Sequence, residues 1–330
     1  MRNAPIEDVS QHPIYTRDYA VDTSPIQMFF ATICEWIDNR VPGAYVHGPS
    51  RFGKSRAVKY WVKELIDEHY AGRVCFFRTI CKSKTRPSER DFLIGLLSSL
   101  RIRFKSSSST AVVTERIANF LCASSRAKKS NYIVLMIDEA QRLTAVEYGV
   151  LCNIQNLMED SGFQLTVIAV GSHEMAYQHE SFLLGLDMHI VGRFMVHSAA
   201  FNGIQSVDEL RYALAGYDET DWPADSGISF TQYFFPKAYA RGLRVENWAE
   251  IFWCIYLELA PPSLRSRLQV PMEHIAKAVE KILRTYSKFD SYEFDVTEKE
   301  IRAAVVYTGY EVHMRTVAAI TGSRHKKENA

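Results

Sequence analysis

Residues 48–55 of the chain read Gly-Pro-Ser-Arg-Phe-Gly-Lys-Ser, which fills every defining position of the pattern G-x-x-x-x-G-K-S. The preceding run, 44–47, is short and apolar enough for a buried strand, and 56–70 has helical spacing. A loop between a strand and a helix N-terminus suits phosphate, because glycines let backbone N–H groups approach the oxygens and the helix adds partial positive charge. We therefore expect ATP, with Lys54 reaching the β- and γ-phosphates and the Ser55 hydroxyl binding Mg²⁺. The residues expected to contact the nucleotide are Gly48, Pro49, Ser50, Arg51, Phe52, Gly53, Lys54, Ser55 and Arg56.

A second group of reactive side chains follows Tyr132–Ile137, an apolar run typical of a central parallel strand buried on both faces. The run ends in Asp138 and Glu139. A carboxylate at such a strand tip, beside a phosphate loop, completes a Mg²⁺ shell, so we expect Asp138 to hold the ion through bound water. Glu139 is placed to orient or deprotonate the attacking water. Alone, the pair is typical of a helix N-cap; together with the phosphate loop it indicates ATP hydrolysis.

Phosphoryl transfer also needs positive charge where the γ-phosphate oxygens become more negative, and two arginines are candidates. Arg193 precedes the last predicted core strand, where a loop at the sheet edge could project it towards a neighbouring subunit's nucleotide. Arg244 opens a helix predicted over 245–259 and could close over the nucleotide of its own chain. Each has an alternative interpretation as a surface arginine.

Polar side chains also follow the strand predicted at 165–170, where the sequence continues Gly171-Ser172-His173. Either Ser172 or His173 could sense the γ-phosphate beside Asp138, and the sequence leaves both open. A structural role at the strand end is the alternative.

The composition is that of a soluble globular protein, with 330 residues, 47% hydrophobic and 23% charged. Its six cysteines form no C-x-x-C pair and no metal spacing, so we expect reduced core thiols and a cytoplasmic setting. No apolar stretch approaches the length of a membrane span, and we expect no membrane partner. The net charge of +1 means that any DNA must be held by a local basic patch.

Strand and helix patterns alternate through the first two thirds of the chain, which predicts an α/β fold with a parallel five-stranded sheet flanked by helices. The predicted strands are 44–47, 74–79, 132–137, 165–170 and 195–201. The predicted helices are 26–38, 54–70, 88–101, 111–123, 144–160 and about 176–187, then 206–216, 245–259, 272–285 and 297–320. We interpret 1–24 as a polar, irregular N-terminal arm, 25–204 as the nucleotide-binding core, and 205–330 as a helical lid with C-terminal helices.

The order of these parts resembles that of AAA+ ATPases: phosphate loop, Asp-Glu strand, polar strand end, Arg-Phe before the last strand, and Gly-x-Arg in a helical lid. Within that class, Ser10-Gln11-His12-Pro13, Gly48-Pro49-Ser50 and Ile137-Asp138-Glu139-Ala140-Gln141 resemble the TniB/TnsC transposition regulators, most of all TnsC of CRISPR-associated transposons. The resemblance covers most of 10–260; no motif matches in the last 60 residues. Phe52 departs from it, because small residues are common at that position of the loop.

The resemblance implies an ATP-driven oligomer, ring or filament, around double-stranded DNA. It also implies partners, namely transposase subunits and a target-selection protein of the TniQ type. The sequence supports DNA binding independently of this resemblance, because 82–105 contains seven basic residues and only two acidic ones. Basic side chains among Ser and Thr suit sequence-independent phosphate contacts, although a solvated basic face is the alternative. The residues expected to contact DNA are Lys82, Lys84, Arg86, Arg101, Arg103 and Lys105.

Two other functions stay open at this point. A replication initiator or helicase loader would share the same core and lid. A nucleotide-gated adaptor, in which ATP drives assembly with little hydrolysis, would need neither Glu139 nor Arg193.

Overall fold

The structure, a computed structural model, describes residues 9–83, 86–105 and 107–328. The chain divides into two compact units. An α/β unit comprises Met28–Ser50 and Lys54–Phe201. A helical unit comprises the described residues of 1–27, 51–53 and 202–330, so the tip of the phosphate loop belongs to it.

The α/β unit is built on a parallel five-stranded sheet in the order β2-β3-β4-β1-β5. Its strands are β1 (Gly43–His47), β2 (Cys75–Ile80), β3 (Tyr132–Asp138), β4 (Gln164–Gly171) and β5 (His197–Ala200). All seven residues of β3 are buried, as its apolar run predicts for a strand with a neighbour on each side. The predicted fold class is therefore confirmed, and β5 is shorter than predicted.

Helices flank this sheet. They are α2 (Ser24–Asp38), α3 (Lys54–Tyr60), α4 (Val62–His69), α5 (Glu89–Ser99), α6 (Thr110–Ala127), α7 (Ala145–Asp160), α8 (Glu174–Leu184) and α9 (Met188–Ile190). The helix predicted over 54–70 is interrupted at Trp61, so α3 and α4 are separate. Buried aliphatic side chains of β3, β4, α5, α6 and α7 form one hydrophobic core around the strands that present the predicted carboxylates.

The helical unit begins with α1 (Pro13–Thr16) and continues after the sheet. Its later helices are α10 (Val207–Glu219), α11 (Phe230–Phe234), α12 (Pro236–Ala240), α13 (Ala249–Leu259), α14 (Pro262–Arg265), α15 (Met272–Tyr286), α16 (Glu298–Tyr307) and α17 (Tyr310–Glu328). The helix predicted over 297–320 is divided near Gly309 into α16 and α17; the φ of 75° at Gly309 suits a helix terminus and is accessible to glycine at little cost. Four short helices, α9, α11, α12 and α14, have three to five residues each and were not predicted from the sequence.

The described part of the N-terminal segment packs within the helical unit, in contrast to the expected irregular arm. The imidazole of His12 is fully buried among the rings of Trp222, Phe230, Tyr233 and Phe234. Burial lowers its pKa to about 4, so it is neutral near pH 7. The neutral ring accepts a hydrogen bond from the backbone N–H of Ile14 at 3.1 Å, which caps α1.

Among the described helices, none combines the length and the low polarity needed to cross a lipid bilayer.

Candidate active site

The phosphate loop lies at the carboxyl end of β1, as predicted, and α3 begins at Lys54. Gly53 has a φ of 108°, a backbone conformation that other residues reach only with strain. The Lys54 ammonium donates to the carbonyl oxygens of Gly48 and Pro49 at 2.8 and 2.7 Å. Burial lowers the pKa of Lys54 to about 8, against the opposing influence of the Asp138 and Glu139 carboxylates.

The tip of the phosphate loop is held by contacts inside the helical unit. The Phe52 side chain is buried, and a Cβ added to Gly203 would lie 3.2 Å from its ring. The backbone carbonyl of Arg51 accepts a hydrogen bond from Glu273 N–H at 3.1 Å, and the two side chains form an ion pair at 3.6 Å. These contacts explain the unexpected Phe52: its ring is a packing element of the helical unit.

Asp138 is buried at the end of β3, and each of its carboxylate oxygens has different partners. Oδ1 accepts from the Ser55 hydroxyl at 3.2 Å and from Glu139 N–H at 3.0 Å. Oδ2 forms an ion pair with Arg78 of β2 at 3.0 Å. A hydroxyl and a carboxylate this close supply the hard oxygen ligands that Mg²⁺ prefers, so Ser55 and Asp138 fit the predicted metal site.

Glu139 has a left-handed backbone conformation, with φ 58° and ψ 34°. A non-glycine residue there is strained, and such strain is concentrated at functional sites. Its carboxylate Oε2 accepts from Gln141 Nε2 at 3.1 Å and pairs with Arg142 at 3.0 Å. The predicted base is therefore held at the strand tip by Gln141 and Arg142, two and three residues further along the chain.

Gln141 also connects Glu139 to the end of β4, because its Oε1 accepts a hydrogen bond from Ser172 N–H at 3.1 Å. The close approach depends on Gly171, where an added Cβ would lie 2.7 Å from Gln141 Oε1. The Ser172 hydroxyl accepts from Glu174 N–H at 3.3 Å at the start of α8. The structure thus brings Ser172 to the carboxylates through its backbone, and its role and that of His173 as sensors stay predictions.

Arg193 lies in a π-helical turn, Val191–Met195, and not in the loop that the sequence analysis predicted. Val191, Phe194 and Met195 of this turn are all buried, and β5 begins two residues after it. The Arg193 guanidinium is half-buried and donates to the carbonyl oxygen of Cys152 at 3.4 Å. Turns of this kind are frequent at functional sites.

Arg244 precedes a 3₁₀ turn, Val245–Trp248, and α13 follows at Ala249, so the predicted helix 245–259 has a distorted first turn. Its guanidinium donates to the carbonyl oxygens of Tyr239 and Leu243 at 3.0 and 2.7 Å. It also lies 3.5 Å from the centre of the Tyr239 ring. The side chain is therefore engaged within its own loop.

Five of the six residues predicted to contact DNA are described and exposed. Those five are Lys82, Arg86, Arg101, Arg103 and Lys105, while Lys84 lies outside the described residues. Lys82 follows β2 at the same sheet edge as Asp138, because Cys81 N–H donates to the Asp138 carbonyl at 2.8 Å. Arg142 donates to the Cys81 carbonyl at 3.3 Å, so one arginine contacts both this segment and Glu139.

Arg78 and Arg142 were not predicted as site residues, and Gln141 was named only as part of the motif that carries the resemblance. The only charged residue within β2 is the signal that could have found Arg78. For Gln141 and Arg142, the only sequence signal of a role at the site is their position shortly after Asp138 and Glu139.

Comparison with known proteins supports the same architecture. Residues 42–177 match the family model described as the AAA domain. The fold is similar to that of the Aeropyrum pernix ORC2 protein, solved as ADPNP-ADP complexes, with a TM-score of 0.60 and 11% identity over 90% of this chain and 71% of that one. It is also similar to the Aeropyrum pernix ORC1 protein in complex with DNA (TM-score 0.50, 11% identity, 90% and 68% covered). A Walker-type ATPase of Pyrococcus abyssi is another similar structure (TM-score 0.50, 13% identity, 91% and 76% covered). No curated protein sequence matches the chain significantly.

The parallel sheet, the phosphate loop at its carboxyl edge and the helical C-terminal region define an AAA+ P-loop fold. The similarity to solved structures is a similarity of fold, because the sequence identities are low.

Proposed function

We propose that the protein is a Mg²⁺-dependent ATPase that hydrolyses ATP to ADP and phosphate. The observation that carries this proposal is the convergence of Ser55, Asp138 and Glu139 beside the Lys54 loop at one sheet edge. When bound there, Mg²⁺ would supply charge neutralisation for the phosphates. Lys54 holds the β- and γ-phosphates, and Glu139 accepts a proton from the attacking water.

Arg193 and Arg244 are proposed to stabilise the transition state, the first on a neighbouring subunit's nucleotide and the second on its own. Self-association has independent support in an exposed apolar segment shortly before Arg193. Leu184 and Leu186 are 87% and 81% exposed there, and contiguous exposed apolar residues mark interaction sites.

We further propose that the ATPase assembles on double-stranded DNA and regulates DNA transposition. The sequence resemblance to TniB/TnsC regulators supports that role and the partners it implies, transposase subunits and a TniQ-type target-selection protein. The exposed basic residues after β2 support backbone contacts to DNA of any sequence.

A replication-initiator role is the second candidate. It is favoured by the similarity of fold to the Aeropyrum pernix ORC1 and ORC2 proteins. The two roles differ in sequence preference, because an initiator must mark a defined start site whereas a regulator that follows another factor's choice must accept any duplex.

The test is electron microscopy with ATP and duplexes of unrelated sequence, with nucleotide binding measured in parallel. We expect assemblies on every duplex with wild-type protein and none with Lys54→Ala, which should also lose ATP binding. Unchanged nucleotide affinity in Lys54→Ala would overturn the assignment of the loop. Assembly on one sequence only would favour the initiator.

A further inference from the structure

Arg78 is a charged residue of the site to which the proposed function assigns no role. It lies in β2, two residues before Ile80, which is the neighbour of Asp138 in the parallel ladder. Side chains two residues apart in a strand share a face, so Arg78 reaches Asp138 diagonally across the sheet. The pair is largely removed from water, with 24% of the Arg78 side chain and 5% of the Asp138 side chain exposed.

The two oxygens of the Asp138 carboxylate have different partners because of this ion pair. Arg78 Nη2 holds Oδ2 at 3.0 Å, and the Ser55 hydroxyl approaches Oδ1 at 3.2 Å. A carboxylate held at only one oxygen is free to turn its plane away from Ser55. The guanidinium, by holding the second oxygen, restrains the orientation of the plane and keeps the other oxygen directed at the phosphate loop.

The pairing is not explained by stability alone. The Nε of Arg78 is buried and finds no hydrogen-bond acceptor among the described residues. Leaving a buried donor unpaired is unfavourable, and replacing a buried ion pair by apolar side chains is often neutral or stabilising. A guanidinium that is retained at this expense beside a metal-binding carboxylate indicates a role at the site.

We propose that Arg78 is a positioning residue for Mg²⁺ binding: by holding one carboxylate oxygen of Asp138, it keeps the other directed at Ser55, where the two residues would bind the ion. The proposal rests on the proposed ATPase function. Residues that orient metal ligands in this way typically change metal affinity by about 10–100-fold when they are replaced.

The test is a Mg²⁺ titration of the binding of a fluorescent ATP analogue, for wild type, Arg78→Met, Arg78→Lys and Arg73→Met. Arg73 is a matched control, because it is exposed just before the same strand. We expect the Mg²⁺ midpoint to rise about 10–100-fold in Arg78→Met. The Mg²⁺ midpoint should rise less in Arg78→Lys, because lysine keeps the positive charge but lacks the planar guanidinium. It should remain unchanged in Arg73→Met. Nucleotide affinity in EDTA should be equal in all four proteins.

Each alternative has its own outcome. An ion pair that only stabilises the fold would lower the thermal midpoint of unfolding and leave the Mg²⁺ midpoints of both Arg78 variants at the wild-type value, which would overturn the proposal. A lower Mg²⁺ midpoint would also overturn it, because Arg78 would then compete with the ion. If Arg78→Met does not fold, Arg78→Lys decides between these outcomes. Absence of Mg²⁺-dependent nucleotide binding in the wild type would instead refute the ATPase assignment.

Discussion

At the scale of single residues, the electrostatics of Lys54 lead to a measurable pH dependence. Its pKa of about 8 belongs to the protein without nucleotide, in which burial disfavours the charged ammonium. Phosphate groups favour the charged form, so the pKa of Lys54 must be higher in the complex than in the free protein. By linkage, ATP binding then takes up a proton above pH 8 and none well below it.

We therefore expect ATP affinity to be insensitive to this group below pH 8 and to weaken above it, by up to about tenfold per pH unit. Isothermal titration calorimetry in buffers of different ionisation enthalpy measures both the affinity and the proton uptake. Lys54→Arg is the control, because its guanidinium stays charged over this range and its binding should show no such uptake. Equal affinity at pH 7.5 and 9.5 in the wild type would contradict the assignment.

Glu139 leads to a different prediction, because the carboxylate is needed to activate water and not to bind the ground state. Glu139→Gln should bind ATP with wild-type affinity and hydrolyse it about 10²–10⁴-fold more slowly. Turnover and the lifetime of ATP-bound assemblies are measured together, and the assemblies should persist. Gln141→Ala, which leaves the carboxylate but removes its link to Ser172, should lower turnover less. Wild-type turnover in Glu139→Gln would place the base elsewhere.

At the scale of elements, the segment after β2, which carries the residues proposed to bind DNA, is hydrogen-bonded to the candidate active site. Its backbone at Cys81 bonds to the Asp138 carbonyl and accepts from Arg142, which in turn pairs with Glu139. The segment that carries the basic residues is thus connected to the Asp138 backbone by one hydrogen bond and to the Glu139 carboxylate through Arg142. These contacts are a physical connection between the proposed DNA contact and the proposed catalytic base.

Replacing Lys82, Lys84 and Arg86 together with Ala should leave ATP binding intact and weaken duplex binding. Each lost phosphate contact should flatten the log–log salt dependence by about 0.9, for up to about three contacts per subunit. Fluorescence anisotropy of labelled duplexes over a salt series, with a non-hydrolysed ATP analogue, measures affinity and slope. Replacing Arg73, Arg126 and Lys129 gives the same charge change near the opposite strand ends and should leave the slope unaltered. A wild-type slope in the Lys82, Lys84 and Arg86 variant would contradict this prediction and leave Arg101, Arg103 and Lys105 as the candidates for the DNA contact.

At the scale of the whole molecule, the proposed assembly requires that one subunit complete the site of the next. Arg193 is proposed to act across that boundary, and loss of such an arginine typically costs about 10³–10⁵ in turnover. Arg193→Ala and Lys54→Ala proteins should each be inactive alone. Mixed in varying ratios, they should recover part of the activity, because an intact Lys54 site can face an intact Arg193.

The readout is ATPase activity across mixing ratios, with co-assembly confirmed by differently labelled subunits. Mixing Arg193→Ala with Glu139→Gln is a second pair that should behave in the same way. Co-assembled subunits without any recovery would show that Arg193 acts within its own chain or only in packing against Cys152.

Much of the α/β unit was predictable because its signals are local. The apolar run before Asp138 and the phosphate loop before α3 are contiguous in sequence. Short apolar runs located both ends of β1 to β4 within one residue and both ends of β5 within two. The break at Trp61 was missed because the apolar periodicity continues through it. The break at Gly309 was missed although a glycine is a signal for a helix end. The π-helical turn at Arg193 was also missed.

The sequence by itself determined the class of fold, the ligand that the loop suits, and the two carboxylates at the β3 tip. Only the tertiary structure decided which side chains orient them. Arg78 and Asp138 are 60 residues apart in the chain, and they meet because β2 and β3 are neighbours in the sheet. Likewise, the large apolar side chain at position 52 is explained only by the helical unit, where the Phe52 ring packs beside Gly203. Contacts of this kind depend on strand order and on packing between distant segments, which no local pattern encodes.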